Sequence, residues 1–581
     1  MARIPHGAVI TIDAFQDARD DIAARSAAIP LAFATARPAD VQDFDFLFPE
    51  LQRDPNNLLP VARRTRDNLV RLGQSMRDPG GRDPRGYSVI PAAYTYLGQF
   101  IDHDITLETV SATLPELLNP NLRPLPLPEI KRKIRNVRTA TLDLDSVYGL
   151  PAPRAGIKME VGKVTPLGGT AKPLLRPPGK DDFHDLKREP RSPDLEHDRA
   201  ALIGDPRNDE NLIVAQLHLA FLRAHNKLAE RPYATFKDAR MHLRQHYQHI
   251  VLHDFLKRVA DPQIVNQTIK QNYVYDALAE PFFLPLEFSV AAYRFGHTMV
   301  RADYDHNLNF NNSGQPGTIP ATLGLLFTFT ALSGGLSPDP TITGTDTLPD
   351  NWIIEWENFV DVGLPFNVAR QLDTKLVEPL FELRDLLGNI VPGDGARLAV
   401  RNLLRGYLLR MPTGQAVAGA LRRKLRGVRE IPVLTPAQVA AGAGGPEQQR
   451  VLRESGFLER TPLWYYILAE AALLGRGQRL GPVGSTLISE VIVGLVRRSD
   501  DSILRTRGWR PTLPSARPGT FELSDLLRFA GVLTARGGPR AGAARKSAKK
   551  SAKKSAAKKS AGSKKGAGGS KGSKRGSSKK G

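Results

Sequence analysis

Apolar and polar positions alternate with helical spacing in several separate stretches of the chain. Tyr94–Asp104 (YTYLGQFIDHD) is the most informative of them. Wound at 100° per residue, it places Gln99, Asp102 and His103 within an arc of about 100°, so one face carries an amide, a carboxylate and an imidazole. Asp104 lies about 100° from His103 and addresses a different neighbour. A second helix is predicted from Asn211, with Leu212, Ala215, Gln216, Leu219, Leu222 and Arg223 in phase. Arg240–Val259 reads as one long helix with His242, His246, His249 and His253 at spacings of three and four. Its histidines are expected to form a solvated or hydrogen-bonded face. In Glu287–Arg301, His297 falls three after Arg294 and four after Tyr293, on their side of a helix. Arg397–Arg405 puts Asn402 and Arg405 on one face, and the segments from Thr461 and from Leu480 read as apolar core helices.

Between these helices the pattern breaks. Residues 41–90 are rich in Pro, Asp and Arg and predict loops and short helices. Leu114–Pro128 holds five prolines and predicts extended chain on the surface. In Thr139–Gly149 the oxygen-bearing residues Thr139, Thr141, Asp143 and Asp145 alternate, which in extended chain aims them to one side. Clustered oxygens suit Ca²⁺. An EF-hand is excluded: with Asp143 as position 1, Tyr148 replaces the glycine and Arg154 the final glutamate. Residues 150–200 read as an irregular insertion, Phe282–Phe288 as a proline-broken loop and 303–350 as outer loops.

The charge changes this picture at one end only. The chain of 581 residues carries a net charge of +21. Residues 536–581 hold 17 Lys and Arg and no acid, so the other 535 residues carry 21 − 17 = +4. Lys-Lys-Ser-Ala recurs from Lys549, with no aromatic residue, and such a segment cannot bury a core. Three regions follow: an N-terminal arm over 1–40, a globular domain over 41–533, and a disordered Lys/Ser/Ala/Gly-rich tail over 534–581. The tail resembles lysine-rich histone tails. It is expected to bind DNA or another polyanion without reading bases. Cysteine is absent, which excludes disulfides, iron–sulfur clusters, cysteine nucleophiles and thiolate-ligated haem. The N-terminus shows no basic segment followed by an apolar one, so the expectation is a soluble, cytoplasmic protein, nucleoid-associated through its tail.

Five motifs in order resemble those of the animal-type haem peroxidases, the peroxidase–cyclooxygenase superfamily, over about residues 45–530. They are Gly-Gln-Phe-Ile-Asp-His-Asp104, Thr139–Gly149, Gly204-Asp-Pro-Arg-Asn-Asp-Glu210, Ala292-Tyr-Arg-Phe-Gly-His297, and Asn402 with Arg405 ahead of Met411-Pro-Thr-Gly-Gln415, a pattern typical of bacterial members. The resemblance implies a mainly α fold with haem b between a distal and a proximal helix. It implies catalysis by His103, Arg207 and Gln99, with Gln99 holding water or halide. His297 would ligate the iron, Asn402 would accept its N–H, and Arg405 would meet a propionate, with Arg294 beside them. Asp102 and Glu210 stand where ester links to haem form; Asn211 stands where one branch has a methionine, so a sulfonium link is excluded. Asp104, Thr139, Thr141 (through its carbonyl), Asp143 and Asp145 would hold Ca²⁺. Alone, the Asn-Asp-Glu cluster at 208–210 reads as a helix cap, and His218 and His225 read as structural.

The activity so implied is reduction of H₂O₂ through an oxyferryl haem, with oxidation of small donors or halides. Two alternatives remain open. One is a fatty-acid dioxygenase or cyclooxygenase-like oxygenase, which needs a tyrosyl radical near the haem; Tyr407, Tyr465 and Tyr466 are available. The other is a nucleic-acid-binding protein with a degenerate haem domain, against which the intact His103, Arg207 and His297 argue.

Overall fold

The computed structural model describes residues 42–80, 86–109, 113–149, 152–194, 197–232, 234–328, 345–385 and 389–533. The expected N-terminal arm and basic tail lie outside the described residues, as do residues 329–344 of the expected outer loops.

The fold is mainly helical. Its principal helices are α1 (Arg63–Ser75), α2 (Ala93–Ile105), α3 (Leu212–Ala229), α4 (Phe236–Ile250), α5 (Leu398–Leu408), α6 (Leu463–Leu473), α7 (Pro482–Arg498) and α8 (Leu523–Phe529). α2, α3, α6 and α7 are buried on nearly every side, as expected for helices that form a core. Phe100 of α2 stacks on Phe221 of α3 at 4.6 Å between ring centroids and meets Tyr247 of α4 edge-on. α1 lies against α5 where a Cβ on Gly73 would come within 2.9 Å of the Val400 backbone, so the close approach requires glycine. No helix among the described residues is long and apolar enough to cross a membrane.

Strands are short. The largest sheet has the order Glu108–Thr109, Arg135–Asn136, Gln42–Asp45, Phe283–Pro285. Gln42–Asp45 runs antiparallel to Arg135–Asn136 and parallel to Phe283–Pro285. The sheet ties the entry to Glu287–Met299 to the rest of the molecule. The Glu287 carboxylate, fully buried, adds to this by accepting the N–H groups of Leu47 and Phe48.

Several expectations are corrected here. Leu114–Pro128 is not simply extended: Leu114–Leu118 is helical and Leu127–Lys133 is a second short helix. Pro115 and Pro128 sit in their first turns, where proline's missing N–H costs nothing. Residues 41–90 contain the 13-residue α1 as well as loops. Phe283–Pro285 is a strand, not a loop. Thr139–Gly149 is a loop with left-handed Ala140 and Leu144 that ends in the helical turn Asp145–Tyr148. The segment around His297 is not a regular α-helix. Glu287–Ala291 forms a π turn, and Ala292–Met299 winds more tightly as 3₁₀ turns. In a 3₁₀ turn, positions three apart eclipse, so Arg294 and His297 share one side.

Candidate active site

α2 and the Ala292–Met299 turns face each other across a cavity of about 580 Å³. Gln99, Asp102 and His103 line it from α2; Arg294 and His297 line it from the turns; Arg207 and Glu210 line it from the segment before α3. Asn402 and Arg405 of α5 complete the side behind His297. Residues from four separate stretches therefore meet in one space, with His103 and His297 lying 194 positions apart in the chain (297 − 103).

His103 is buried, and its Nδ1 lies 2.8 Å from Asn208 Oδ1. The Asn208 amide nitrogen in turn lies 3.0 Å from Nδ1 of His218, also buried. An amide oxygen only accepts, so His103 carries its hydrogen on Nδ1 and leaves the Nε2 lone pair for the cavity. Burial, then the Arg207 charge, lower the His103 pKa, against the opposing charges of Asp205, Glu210 and Asp102. The ring is a neutral base.

Arg207 is held by Asp205: Nε lies 3.0 Å from Oδ1 and Nη2 lies 2.7 Å from Oδ2. Nη2 also donates to the carbonyls of His103 and Thr106, which fastens Arg207 to the end of α2. Asp205 is completely buried and paired with Arg138 as well. Burial alone would raise its carboxyl; Arg138 and Arg207 overcome this and hold it well below the ordinary carboxylate range.

On the opposite wall, His297 Nδ1 lies 3.0 Å from the Asn402 side-chain amide. Asn402 Nδ2 faces the ring and Oδ1 accepts from Arg294 Nη1 at 3.4 Å; exchanging the amide's O and N turns Oδ1 to the ring. With Oδ1 towards the ring it accepts Nδ1–H, and His297 Nε2 then carries the lone pair that could hold a metal. The Trp464 indole N–H donates to the Arg294 carbonyl at 3.2 Å and pins the turns to α6.

The cavity fits a haem. Arg405 Nη2 lies 2.8 Å from Glu108 Oε2, an ion pair whose angle makes no hydrogen bond, and Arg294 Nη2 lies 4.0 Å from the same oxygen. Nε of Arg294 and Nε of Arg405 are buried without a hydrogen-bond partner. Two cations with donors to spare at the edge of a mainly apolar slot suit the two carboxylate arms of a haem, with His297 on one face and His103 on the other.

Two expected roles change. The Gln99 amide does not stand free: its Nε2 donates to Glu210 Oε1, and its Oε1 accepts from Asn211 Nδ2 at 3.0 Å. Gln99 therefore aligns the Glu210 carboxylate. Tyr407, Tyr465 and Tyr466 do not line the cavity. Their hydroxyls bond elsewhere, to the Ala62 N–H, to Gln448 and to the Leu434 N–H. Tyr94, Tyr96 and Tyr293 line it instead. Sequence reasoning also missed Glu108, Asp205 and the role of Asn208, which read as a helix cap. The signal available for Asn208 was its position next to Arg207.

The oxygen-rich loop lies on the far side of α2. Asp104 is fully buried, and its carboxylate accepts the N–H of Leu144 at 3.2 Å and that of Ser146 at 3.5 Å. Thr139 Oγ1 donates to Asp145 at 2.7 Å and Thr141 Oγ1 to Asp143 at 2.6 Å. Burial, with Asp145 and Asp143 nearby, raises the Asp104 pKa strongly; burial also raises that of Asp143. Among the described residues no group of three or more His, Cys, Asp or Glu is arranged as a metal cage as the side chains stand. His246 is occupied structurally, its Nε2 accepting the N–H groups of Thr512 and Leu513. His225 bonds the Tyr148 hydroxyl and the Ile157 carbonyl.

Comparison with known proteins agrees with this geometry. The sequence model of the family described as animal haem peroxidase matches residues 120–323, which include the oxygen-rich loop, Arg207 and His297. Over those residues the chain is similar to the animal haem peroxidases. A peroxidase-like protein of Margaritifera margaritifera is 31% identical over 257 residues, 36% of this chain and 32% of that protein. Human thyroid peroxidase is 31% identical over 121 residues, 19% of this chain and 13% of that protein. The chain thus matches no more than a third of the length of these relatives. Peroxidase A of Dictyostelium discoideum superposes with a TM-score of 0.51 at 17% identity, covering 86% of this chain and 96% of that one, which establishes a shared fold. His103 and Asn402 fall outside the matched residues; their places come from the geometry.

Proposed function

We propose that the protein is a haem peroxidase that reduces H₂O₂ and oxidises small electron donors or halides. The observation that carries this reading is the pairing of a neutral His103, its Nε2 turned to the cavity, with His297 and Asn402 on the opposite wall. Haem b, when bound between these walls, would supply the redox chemistry of peroxide reduction. His103 Nε2 takes the proton from the oxygen that stays and returns it to the oxygen that leaves. Arg207, whose Nη1 makes none of the bonds to Asp205 or the backbone, stabilises the charge that builds up as the bond breaks. His297 would hold the iron, and Asn402 would make its imidazole more electron-donating. Arg294 and Arg405 orient the carboxylate arms. Asp102, whose Oδ1 accepts the Thr106 hydroxyl at 2.9 Å, and Glu210, aligned by Gln99, are the residues for ester links.

Ca²⁺ binding by Asp104, Thr139, Asp143, Asp145 and the Thr141 carbonyl belongs to the same proposal. Asp104 is buried with the half-buried Asp143 and Asp145 near enough to raise its pKa, a concentration of acids that a divalent cation would offset, and the ion would fix α2 from behind. The tail, residues 534–581, is proposed to bind DNA or another polyanion without sequence preference.

The test is a visible spectrum of the haem-loaded protein before and after H₂O₂, followed by oxidation of guaiacol. A peroxide-induced spectral change with donor oxidation is expected. A haem protein that leaves peroxide unconsumed overturns the reading.

A further inference from the structure

A second concavity, of about 530 Å³, opens on the surface behind α2. It is lined by Lys257, Arg258, Arg476 and Arg479 with the exposed apolar side chains of Val89 and Leu474, and no carboxylate lines it. Arg258 is neutralised by Asp254 at 2.7 Å, with Glu522 at 3.9 Å. Lys257, Arg476 and Arg479 have no ion pair among the described residues. The groove therefore presents three uncompensated cations around an apolar floor, the complement of an anion with a flat apolar body.

One side-chain unit separates this groove from the haem cavity. Tyr94 lines the cavity, and its hydroxyl donates to Asp254 Oδ2 at 2.6 Å. The Arg258 guanidinium, which lines the groove, lies over the Tyr94 ring, 4.4 Å from its centroid. Leu523 N–H donates to the same Asp254 oxygen at 2.9 Å and fixes the carboxylate. Burial, then Asp254, raise the Tyr94 pKa well above the ordinary phenol value, so the phenol holds its proton at rest. A phenol is oxidised easily only if that proton has somewhere to go, and Asp254 is in hydrogen-bond contact to take it.

We propose that the groove binds an anionic aromatic electron donor and that Tyr94 carries the donor's electron to the cavity. This rests on the peroxidase reading, in which H₂O₂ is the terminal oxidant. Tyr94 loses one electron towards the cavity while its O–H bond breaks and an O–H bond forms on Asp254 Oδ2. The donor in the groove then gives one electron to the neutral tyrosyl radical, and the proton returns from Asp254 to the phenol oxygen. One electron leaves the donor for each cycle, and Tyr94 and Asp254 are restored.

The probe is ABTS, an aromatic donor with two sulfonates, compared with guaiacol, a small neutral phenol. Equilibrium dialysis of ABTS against the haem-loaded protein without peroxide measures the groove alone. Arg476→Glu with Arg479→Glu, both exposed, is expected to weaken ABTS binding roughly tenfold or more and to remove its salt dependence, with guaiacol turnover unchanged. Tyr94→Phe is expected to keep ABTS binding and to lower peroxide-driven ABTS turnover at least tenfold. Unchanged ABTS binding in the charge-reversed protein overturns the groove. Unchanged ABTS turnover in Tyr94→Phe, with guaiacol oxidised, overturns the electron route and leaves the peroxidase reading standing. Oxidation of neither donor by the wild-type protein overturns the peroxidase reading and the route together, while dialysis still decides the groove.

Discussion

Asn208 Oδ1 stands 2.8 Å from Nδ1 of His103, and both side chains are buried. This bond decides which imidazole nitrogen faces the cavity. Asn208→Ala removes the acceptor and lets the ring adopt the other tautomer. Stopped-flow reaction with H₂O₂ should slow by about ten- to a hundredfold, part of the ~10²–10⁴-fold that a positioned acid–base group contributes. His103→Ala should lose that full contribution and retain haem. An unaltered rate in His103→Ala removes it from the reaction.

His297 and Asn402 should control the haem spectrum. His297→Ala is expected to change the visible spectrum or abolish stable haem binding. Asn402→Ala should keep haem but shift its reduction potential upward, because the imidazole loses the acceptor that makes it electron-rich. Spectroelectrochemistry of the two variants checks this, and an unchanged spectrum in His297→Ala refutes iron ligation.

The Asp104, Asp143 and Asp145 cluster predicts a calcium-dependent stability. A ligand bound only by the folded state stabilises it by about 2.7 kcal/mol at a hundred times its Kd. Thermal unfolding should move upward with Ca²⁺ and downward with a chelator. Asp143→Ala with Asp145→Ala should abolish the difference. Metal analysis that finds no Ca²⁺ in an active preparation counts against the site.

Glu470 supplies a pH dependence. Its carboxylate is fully buried, accepts the N–H of Val483 at 3.0 Å, and has a pKa pushed up by burial to about 8 from 4.5. The folded state therefore holds this proton more tightly than the unfolded state. The stability that the protonated group contributes is complete below about pH 4.5 and is lost progressively as pH rises through about 8. Denaturant titrations of wild type and Glu470→Gln should diverge over that interval by an amount on the order of a few kcal/mol, with the wild type losing ground as pH rises. Parallel curves would show that Glu470 is not protonated in the folded protein.

Truncation after Leu533 should abolish binding to DNA and leave guaiacol oxidation intact. The full chain should bind in a manner that weakens steeply with salt, since each lysine that neutralises a phosphate releases a counterion. Electrophoretic mobility shifts at two salt concentrations decide it. Equal DNA affinity of the truncated and full chains would place the polyanion site on the body.

The local chemistry was written in the sequence wherever a short motif carried it. The 3.6-residue period alone put Gln99, Asp102 and His103 on one face and sent Asp104 to another neighbour, and the structure shows both. The helix predicted from Asn211 begins there, and the structure shows Asn211 as its cap, with Oδ1 accepting the Val214 N–H. The excess of positive charge in residues 536–581 was a matter of counting. Tertiary structure decided whatever depended on residues distant in the chain. Glu108 pairs with Arg405 across 297 positions (405 − 108), and no period relates them. Gln99 was open to water by its motif, yet Glu210 and Asn211 occupy both ends of its amide. The tight turns at Ala292–Met299 are set in tertiary packing: strand Phe283–Pro285 and Glu287 anchor the chain before them, and Trp464 holds the Arg294 carbonyl within them. Tyr94, Asp254 and Arg258 lie on two helical segments whose contact no sequence pattern announces, because a buried hydrogen bond depends on where two elements cross.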